Sequence, residues 1–274
     1  MTIEITPVTE AIGAEVRGVD MREELTDVEV KEIRQALLDH LVLFFREQHI
    51  TDEQQIAFSL KFGPMYVSPF ETVYQDKPEI VVLDQVYPKD EGADEWHSDL
   101  TFLSDLPLGS ILRAVQLPSV GGDTCFASAY AAYDALSPSM QEFLDGLVAV
   151  HDITGPLVKA IRDGHSTMDL AATQAKFPPV EHKVVVTHPE TGRKALFVNR
   201  NSTTHIIGLS SRENDVLLPF LFDHFRSPEF QCRLHWEIGT VAFWDNRSMQ
   251  HYAVADYHER RVMHRCTIAG PNAR

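Results

Sequence analysis

The sequence predicts an α+β protein that is mainly β, built as a β-sandwich or double-sheet barrel with helices packed outside it. From residue 80 onward, short segments rich in β-branched and aromatic residues alternate with Pro, Gly and Asp. Helix start signals are few by comparison. No internal repeat and no Gly- or Pro-rich linker divides the 274 residues, so we expect one domain spanning 1–274.

The N-terminal third is predicted to alternate helix and strand. A capping-box pattern that begins at Thr26 predicts a helix through about His40. The apolar run 41–45 follows and indicates a strand buried on both faces. A second capping box at Thr51 predicts a helix that ends near Phe62, because Gly and Pro follow directly.

The rest of the chain is predicted to hold most of the strands. Two further helices are expected, one beginning at Ser137 and Pro138 and one at the capping box of Ser210, which runs to about Phe225. The expected strands cover residues 80–83, 110–115, 183–186, 196–198, 240–244 and 261–268.

Charge and cysteine content argue against several classes of protein. The chain has 40 Asp and Glu against 24 Lys and Arg, a formal net charge of −16, which argues against nucleic-acid binding and against docking on an anionic membrane. No apolar run approaches a membrane span, and the N-terminus lacks signal-peptide features. Cys125, Cys232 and Cys266 are too far apart for a metal knuckle, so we expect reduced core residues in a cytoplasmic protein.

A metal site is indicated by two separated motifs. His97 and Asp99 are two residues apart, and on a strand such residues face the same side. His251 follows a predicted strand far downstream. Two histidines and one carboxylate leave three positions open on an octahedral metal, the arrangement typical of non-haem Fe(II). A His-x-Asp pair by itself is more often a solvated ion pair.

The last predicted strand carries two arginines on one face. Arg261 and Arg265 are four residues apart, about 13 Å at ~3.3 Å per residue, and both faces of the strand carry apolar residues. Buried arginines need anions, whereas an edge strand would let them pair with surface acids instead. Thr124, in a turn that leads into a strand, is read either as a ligand contact or as a satisfied core hydroxyl.

Five motifs in order carry a family resemblance: 96–102 (WHSDLTF), 121–124 (GGDT), 187–193 (THPETGR), 244–251 (WDNRSMQH) and 260–265 (RRVMHR). In these the chain resembles the taurine dioxygenase family of Fe(II)- and 2-oxoglutarate-dependent oxygenases from about residue 12 to 270. The resemblance implies a distorted double-stranded β-helix, or jelly roll, with flanking helices. It also implies His97, Asp99 and His251 as iron ligands, and Arg261 with Thr124 as contacts of 2-oxoglutarate.

The implied reaction uses Fe(II), 2-oxoglutarate and O2, and couples formation of succinate and CO2 to hydroxylation of an aliphatic C–H. The carboxylate of Asp99 favours hydroxylation over halogenation, because related halogenases lack this ligand. Arg265 matches a position that holds the substrate anion in sulfonate-oxidising members.

The taurine-specific residues of that family are absent here, where residues 68–71 read SPFE and 93–95 read ADE. We therefore expect a different small anion: a sulfonate, an alkyl sulfate, an aryloxy acid or a carboxylate. Its expected contacts are Arg265, Tyr66, Ser68, Phe70 and Phe102, although barrel aromatics are more often core residues. Like members of the family, the chain is expected to form a homodimer or homotetramer.

Other readings stay open at this point. The same chemistry on a biosynthetic intermediate is compatible with the sequence. A zinc hydrolase would also use two histidines and a carboxylate, but it would not require two inward arginines. A barrel without catalytic function is the third alternative. His188, His205, His235 and His264 have no second ligand at metal spacing, so we expect them to be structural.

Overall fold

The structure is a computed structural model that describes residues 2–68, 73–74, 76–86, 94–162 and 168–270. Within them it has seven α-helices and one short 3-10 helix, Pro228–Phe230. The α-helices are α1 Asp27–His40, α2 Asp52–Leu60, α3 Ala129–Asp134, α4 Pro138–Leu144, α5 Thr154–Arg162, α6 Leu170–Lys176 and α7 Ser211–His224. None of these is long and apolar enough to cross a membrane.

The first eight strands are β1 Glu4–Pro7, β2 Ala14–Arg17, β3 Val42–Phe45, β4 Met65–Tyr66, β5 Val73–Tyr74, β6 Lys77–Gln85, β7 Gly109–Gln116 and β8 Thr124–Ser128. The other nine are β9 Val148–His151, β10 Val180–Lys183, β11 Val185–Thr187, β12 Lys194–Leu196, β13 Thr203–Ile206, β14 Gln231–Leu234, β15 Val241–Asp245, β16 Met249–Ala253 and β17 Arg261–Ile268. The chain is thus mainly β with peripheral helices, as predicted.

Two sheets position the site. The larger has nine strands in the order β1-β2-β3-β15-β7-β17-β6-β5, with β4 also paired to β17. The smaller has the order β14-β8-β16. Side chains of both sheets meet in one core, where Phe126 of the small sheet contacts Phe44 and Trp244 of the large one at ring-centroid distances of 5.6 and 5.8 Å.

The other face of the large sheet is covered by helices. Ile33 and Leu37 of α1 and Phe58 of α2 pack in a second core against Phe45 and Phe243 of the sheet. Because strands β3 and β15 are enclosed from both sides, their sequences are apolar at successive positions rather than alternating. This explains the continuous apolar run at 41–45, of which residues 42–45 form β3.

The helix predictions are confirmed at their N-termini. Thr26, Thr51 and Ser210 each form a complete capping box, and Ser137 caps α4. The second helix ends at Leu60, two residues before the expected end.

Two strand predictions were wrong in their bounds. The expected strand 183–186 is divided at Val184 into β10 and β11, which belong to different sheets, and β12 covers Lys194–Leu196 rather than 196–198. Local alternation does not determine where pairing changes partner. The three cysteines are free; Cys232 and Cys266 are buried, and Cys125 is half-buried.

Candidate active site

Three side chains with metal-ligating atoms converge beside the small sheet. One nitrogen of His97, one of His251 and one carboxylate oxygen of Asp99 all lie within 4.8 Å of one another. The backbones of His97 and His251 form an isolated antiparallel bridge with two N–H···O bonds of 3.1 and 2.8 Å. This bridge holds His97, in a loop, beside β16, so two histidines more than 150 positions apart in the sequence become neighbours.

The protonation states suit a divalent metal. His97 Nδ1 lies 2.7 Å from the backbone oxygen of Glu95 and donates its proton to it, which leaves the Nε2 lone pair directed at the ligand group. Burial, then the neighbouring His97, lowers the pKa of His251 to about 3. Burial raises the pKa of Asp99, but Arg265, the two histidines and Ser110 outweigh it and bring this pKa to about 2. A neutral His251 and an ionised Asp99 are the forms that bind metal.

A chain of buried hydrogen bonds orients the Asp99 carboxylate. Its Oδ1 lies 3.8 Å from His97 Nε2 and 3.7 Å from His251 Nε2, on the metal side. Its Oδ2 accepts a 2.9 Å hydrogen bond from Ser110 Oγ. Ser110 Oγ accepts from Asn246 Nδ2 at 3.1 Å, so its single proton is committed to Asp99. Outer contacts of this kind fix ligand orientation.

A second group of residues, next to the first, could hold an anion. Arg261 on β17 is 4% exposed, and its Nε and Nη2 have no hydrogen-bond partner among the described residues. Burial lowers the pKa of this arginine. Thr124, the first residue of β8, lines the same cavity. A buried guanidinium with donors to spare fits a carboxylate such as the distal end of 2-oxoglutarate.

One cavity of about 310 Å³ connects the metal-ligating group with both arginines. Arg265 is the cation nearest the ligands, with Nη1 3.2 Å from Asp99 Oδ1. The apolar part of the lining is supplied mainly by Leu83, Leu100, Phe102, Leu112 and Trp244. The cavity is therefore apolar in its walls and cationic at two points.

Not every expected substrate contact lies there. Phe102 lines the cavity. Tyr66 lies on β4 and lines a separate pocket of about 140 Å³, and Ser68 is buried but is not among the described residues that line the main cavity. Phe70 lies outside the described residues.

Several residues of the site were not predicted. Asn201 and Ser202 line the cavity from the turn before β13, and the polar run from residue 199 is a turn signal that marks this place. Ser110 carries no local signal, because its role comes from pairing between strands. The histidines read as structural, His188, His205, His235 and His264, lie outside the metal-ligating group.

Comparison with known proteins places this site in a family. The chain matches the family described as taurine catabolism dioxygenase TauD, TfdA family, over residues 4–267. It is 36% identical to an alkylsulfatase of Acinetobacter baylyi, over 98% of this chain and 85% of the relative. It is 35% identical to an α-ketoglutarate-dependent sulfate ester dioxygenase of Pseudomonas putida, over 98% of this chain and 90% of the relative.

A solved taurine dioxygenase from Burkholderia xenovorans superposes with a TM-score of 0.84 at 36% identity, covering 100% of this chain and 93% of that chain. The His-Asp-His group and the extent of these similarities define an Fe(II)- and 2-oxoglutarate-dependent dioxygenase that uses O2. The chain belongs to the TauD/TfdA family.

Proposed function

We propose that this dioxygenase oxidises a small organic sulfate at the carbon that bears the ester oxygen, with His97, Asp99 and His251 as iron ligands. Arg261 and Thr124 are the contacts of 2-oxoglutarate in this proposal, and Arg265 and Phe102 contact the substrate. The observation that carries a small anionic substrate is the presence of two buried arginines in one cavity. The cosubstrate needs one cation for its distal carboxylate, and the other, Arg265, can bind a second anion while it also contacts Asp99. The similarity to the alkylsulfatase and to the sulfate ester dioxygenase favours a sulfate ester among such anions.

The position of Arg265 supports its assignment to the substrate. Its guanidinium is next to Asp99. Arg261 lies on the same face of β17 but four residues earlier, at the start of the strand. An anion held by Arg265 places its first carbon beside the metal, where oxidation takes place. The apolar walls at Leu100 and Phe102 suit an alkyl or aryl body.

The cavity residues bind, orient and exclude water in this scheme. Bound iron supplies the activation of O2 for C–H oxidation. The overall change converts R–CH2–O–SO3⁻, 2-oxoglutarate and O2 into R–CH(OH)–O–SO3⁻, succinate and CO2. The hydroxylated ester then breaks its C–O bond to sulfate and loses the hydroxyl proton, giving an aldehyde and hydrogen sulfate.

Substrate-dependent succinate formation tests the proposal. The protein, reconstituted anaerobically with Fe(II), is given 2-oxoglutarate, O2 and alkyl sulfates, sulfonates, aryloxy acids or carboxylates of matched length. We expect alkyl sulfates to stimulate succinate formation most, with sulfate and aldehyde in equal amounts. Stimulation by aryloxy acids or sulfonates alone would refute the sulfate-ester assignment, and no stimulation by any class would refute a small anionic substrate.

A pair of arginine variants tests whether Arg265 binds the substrate. Arg265→Lys keeps a positive charge beside Asp99 but loses the planar two-pronged contact, so we expect a higher KM for the sulfate ester and more uncoupled succinate. Arg260→Lys is the matched control, because Arg260 pairs with Asp84 on the exposed surface. Equal kinetics for the two variants would remove Arg265 from the substrate site.

The proposal also covers the architecture, the oligomeric state and the cellular location of the protein. We propose that the two facing sheets form a distorted double-stranded β-helix within one domain, 1–274, which the common core between the sheets supports. A homodimer or homotetramer is supported by the exposed apolar side chains of Phe143, Val216 and Phe220 around one groove. Three free cysteines favour a reducing, cytoplasmic location.

A further inference from the structure

Trp236 contacts both Thr124 and Arg261. It lies in the connection between β14 and β15 and is 4% exposed. Its indole Nε1 donates a 2.9 Å hydrogen bond to Thr124 Oγ1. The centroid of its ring lies 5.9 Å from the guanidinium carbon of Arg261. One aromatic side chain therefore bridges the two groups that the proposed function assigns to 2-oxoglutarate.

The hydrogen bond from Trp236 leaves the Thr124 hydroxyl able to donate its own proton. An indole N–H only donates, so Thr124 Oγ1 is the acceptor in this pair. The hydroxyl keeps one proton, for which the described residues provide no hydrogen-bond acceptor. With one lone pair engaged by Trp236, this proton is directed away from the indole, and Thr124 lines the cavity.

The same side chain constrains Arg261. The guanidinium carbon lies 5.9 Å from the ring centroid of Trp236 and 5.9 Å from that of Tyr257. Gly122, at φ +76°, completes the enclosure, since a Cβ there would be 3.2 Å from Cδ and Nε of the arginine. Aromatic faces attract a cation without using its N–H donors, and Nε and Nη2 remain unbonded within the described part of the chain.

We propose that Trp236 is a positioning residue for the distal carboxylate of 2-oxoglutarate, acting through the Thr124 hydroxyl and the Arg261 guanidinium. This inference rests on the proposed assignment of Thr124 and Arg261 as cosubstrate contacts. Trp236 prepares one hydroxyl donor and one guanidinium for the same anion before that anion arrives. Donors that are already held in place increase affinity, because their side chains lose little conformational entropy when the anion binds.

Binding of 2-oxoglutarate to the Co(II)-loaded protein without O2 provides the test, measured by calorimetry. Trp236→Phe keeps an aromatic face for Arg261 and removes the N–H. We expect the Kd for 2-oxoglutarate to rise by about tenfold, the effect of weakening one charge-assisted hydrogen bond. The Kd for 2-oxopentanoate, which has the same chain length without the distal carboxylate, should stay at the wild-type value, as should the affinity for Co(II).

Thr124→Val tests whether the effect passes through the hydroxyl. If it does, adding Trp236→Phe to Thr124→Val weakens 2-oxoglutarate binding much less than Trp236→Phe does in the wild-type chain. Additive losses, or equal losses for 2-oxoglutarate and 2-oxopentanoate, would overturn the positioning role. If Thr124→Val and Arg261→Lys both leave the 2-oxoglutarate Kd unchanged, the assignment of the cosubstrate contacts fails instead.

A measurement on the wild-type chain keeps the test available if Trp236→Phe does not fold. The protein has three tryptophans, so 15N-tryptophan labelling gives three indole resonances in the Zn(II)-loaded form. Thr124→Val assigns the one from Trp236. We expect 2-oxoglutarate to shift this resonance and 2-oxopentanoate to leave it in place; the same response to both compounds would contradict the inference.

Discussion

Replacing Ser110 with Ala is expected to weaken metal binding while the fold is retained. Ser110 is fully buried on β7 and donates to Asp99 Oδ2 at 2.9 Å. Its oxygen accepts from Asn246 Nδ2 at 3.1 Å, and Asn246 Oδ1 in turn accepts from Trp244 Nε1 at 2.9 Å. The substitution removes the bond that holds the second carboxylate oxygen away from the metal position.

The size of the effect follows from this hydrogen bond. A hydrogen bond to a charged group contributes about 1.5–3 kcal/mol. At 2.9 Å, the bond is longer than the roughly 2.5–2.7 Å of the strongest hydroxyl–carboxylate pairs, so the lower value applies. About 1.5 kcal/mol corresponds to about a tenfold rise in the Kd for the metal, which lies within the range measured for outer partners of metal ligands.

The assay is a competition of metal-free protein with a chelating dye for Co(II) at neutral pH without O2. Ser59→Ala is the matched control, because Ser59 is also fully buried and donates to a backbone oxygen, that of Gln55, at 2.7 Å. Both variants should lose similar unfolding free energy, and only Ser110→Ala should lose metal affinity. Co(II) binding as tight as in the wild-type chain would refute the orienting role of Ser110.

Three further predictions concern the surroundings of the site. Burial and His182 lower the pKa of His151 from 6.5 to about 3; its contribution to stability is therefore present above about pH 6.5 and lost as the pH falls toward 3. Between pH 7 and 5, the unfolding free energy measured in urea should therefore fall by about 2 kcal/mol less in His151→Gln than in the wild-type chain. Asp245→Asn should cost about 1.5–3 kcal/mol of unfolding free energy, because the buried Arg247 loses its closest carboxylate but keeps that of Glu190 at 2.8 Å; a loss like that of an exposed Asp would contradict this. Phe102→Ala should lower the KM for substrates with bulkier alkyl groups relative to short ones in steady-state assays, and an unchanged KM ratio would exclude Phe102 from the substrate wall.

Much of the fold was predictable because its signals are local. The capping boxes at Thr26, Thr51 and Ser210 each involve residues three positions apart, and all three helices begin where expected. The doubly buried strand at 41–45 was recognisable from its continuous apolar run. The division at Val184 was missed because the two halves have different kinds of partner. β10 pairs with β9, 29 to 35 positions away, whereas β11 pairs with β12 in a local hairpin.

The site shows the same contrast. His97, Asp99 and His251 were selected from the sequence, and the structure brings them together. Tyr66 was expected beside them, but the pairing of β4 with the far end of β17 places it at another pocket. A sequence neighbourhood indicates which side chains are near each other along a strand, but not which end of the sheet they occupy.

The sequence by itself determined the family and with it the chemical class, because five motifs in order carry the resemblance; residue type and spacing alone were also compatible with a zinc hydrolase. Only the tertiary structure decided how these groups are held. Trp236 and Thr124 are 112 positions apart, and Asn246 and Ser110 are 136 apart. Contacts of this kind depend on strand register and on the packing of one sheet against another. A shift of one residue in register would turn every side chain of a strand to the opposite face, and no local pattern specifies that choice.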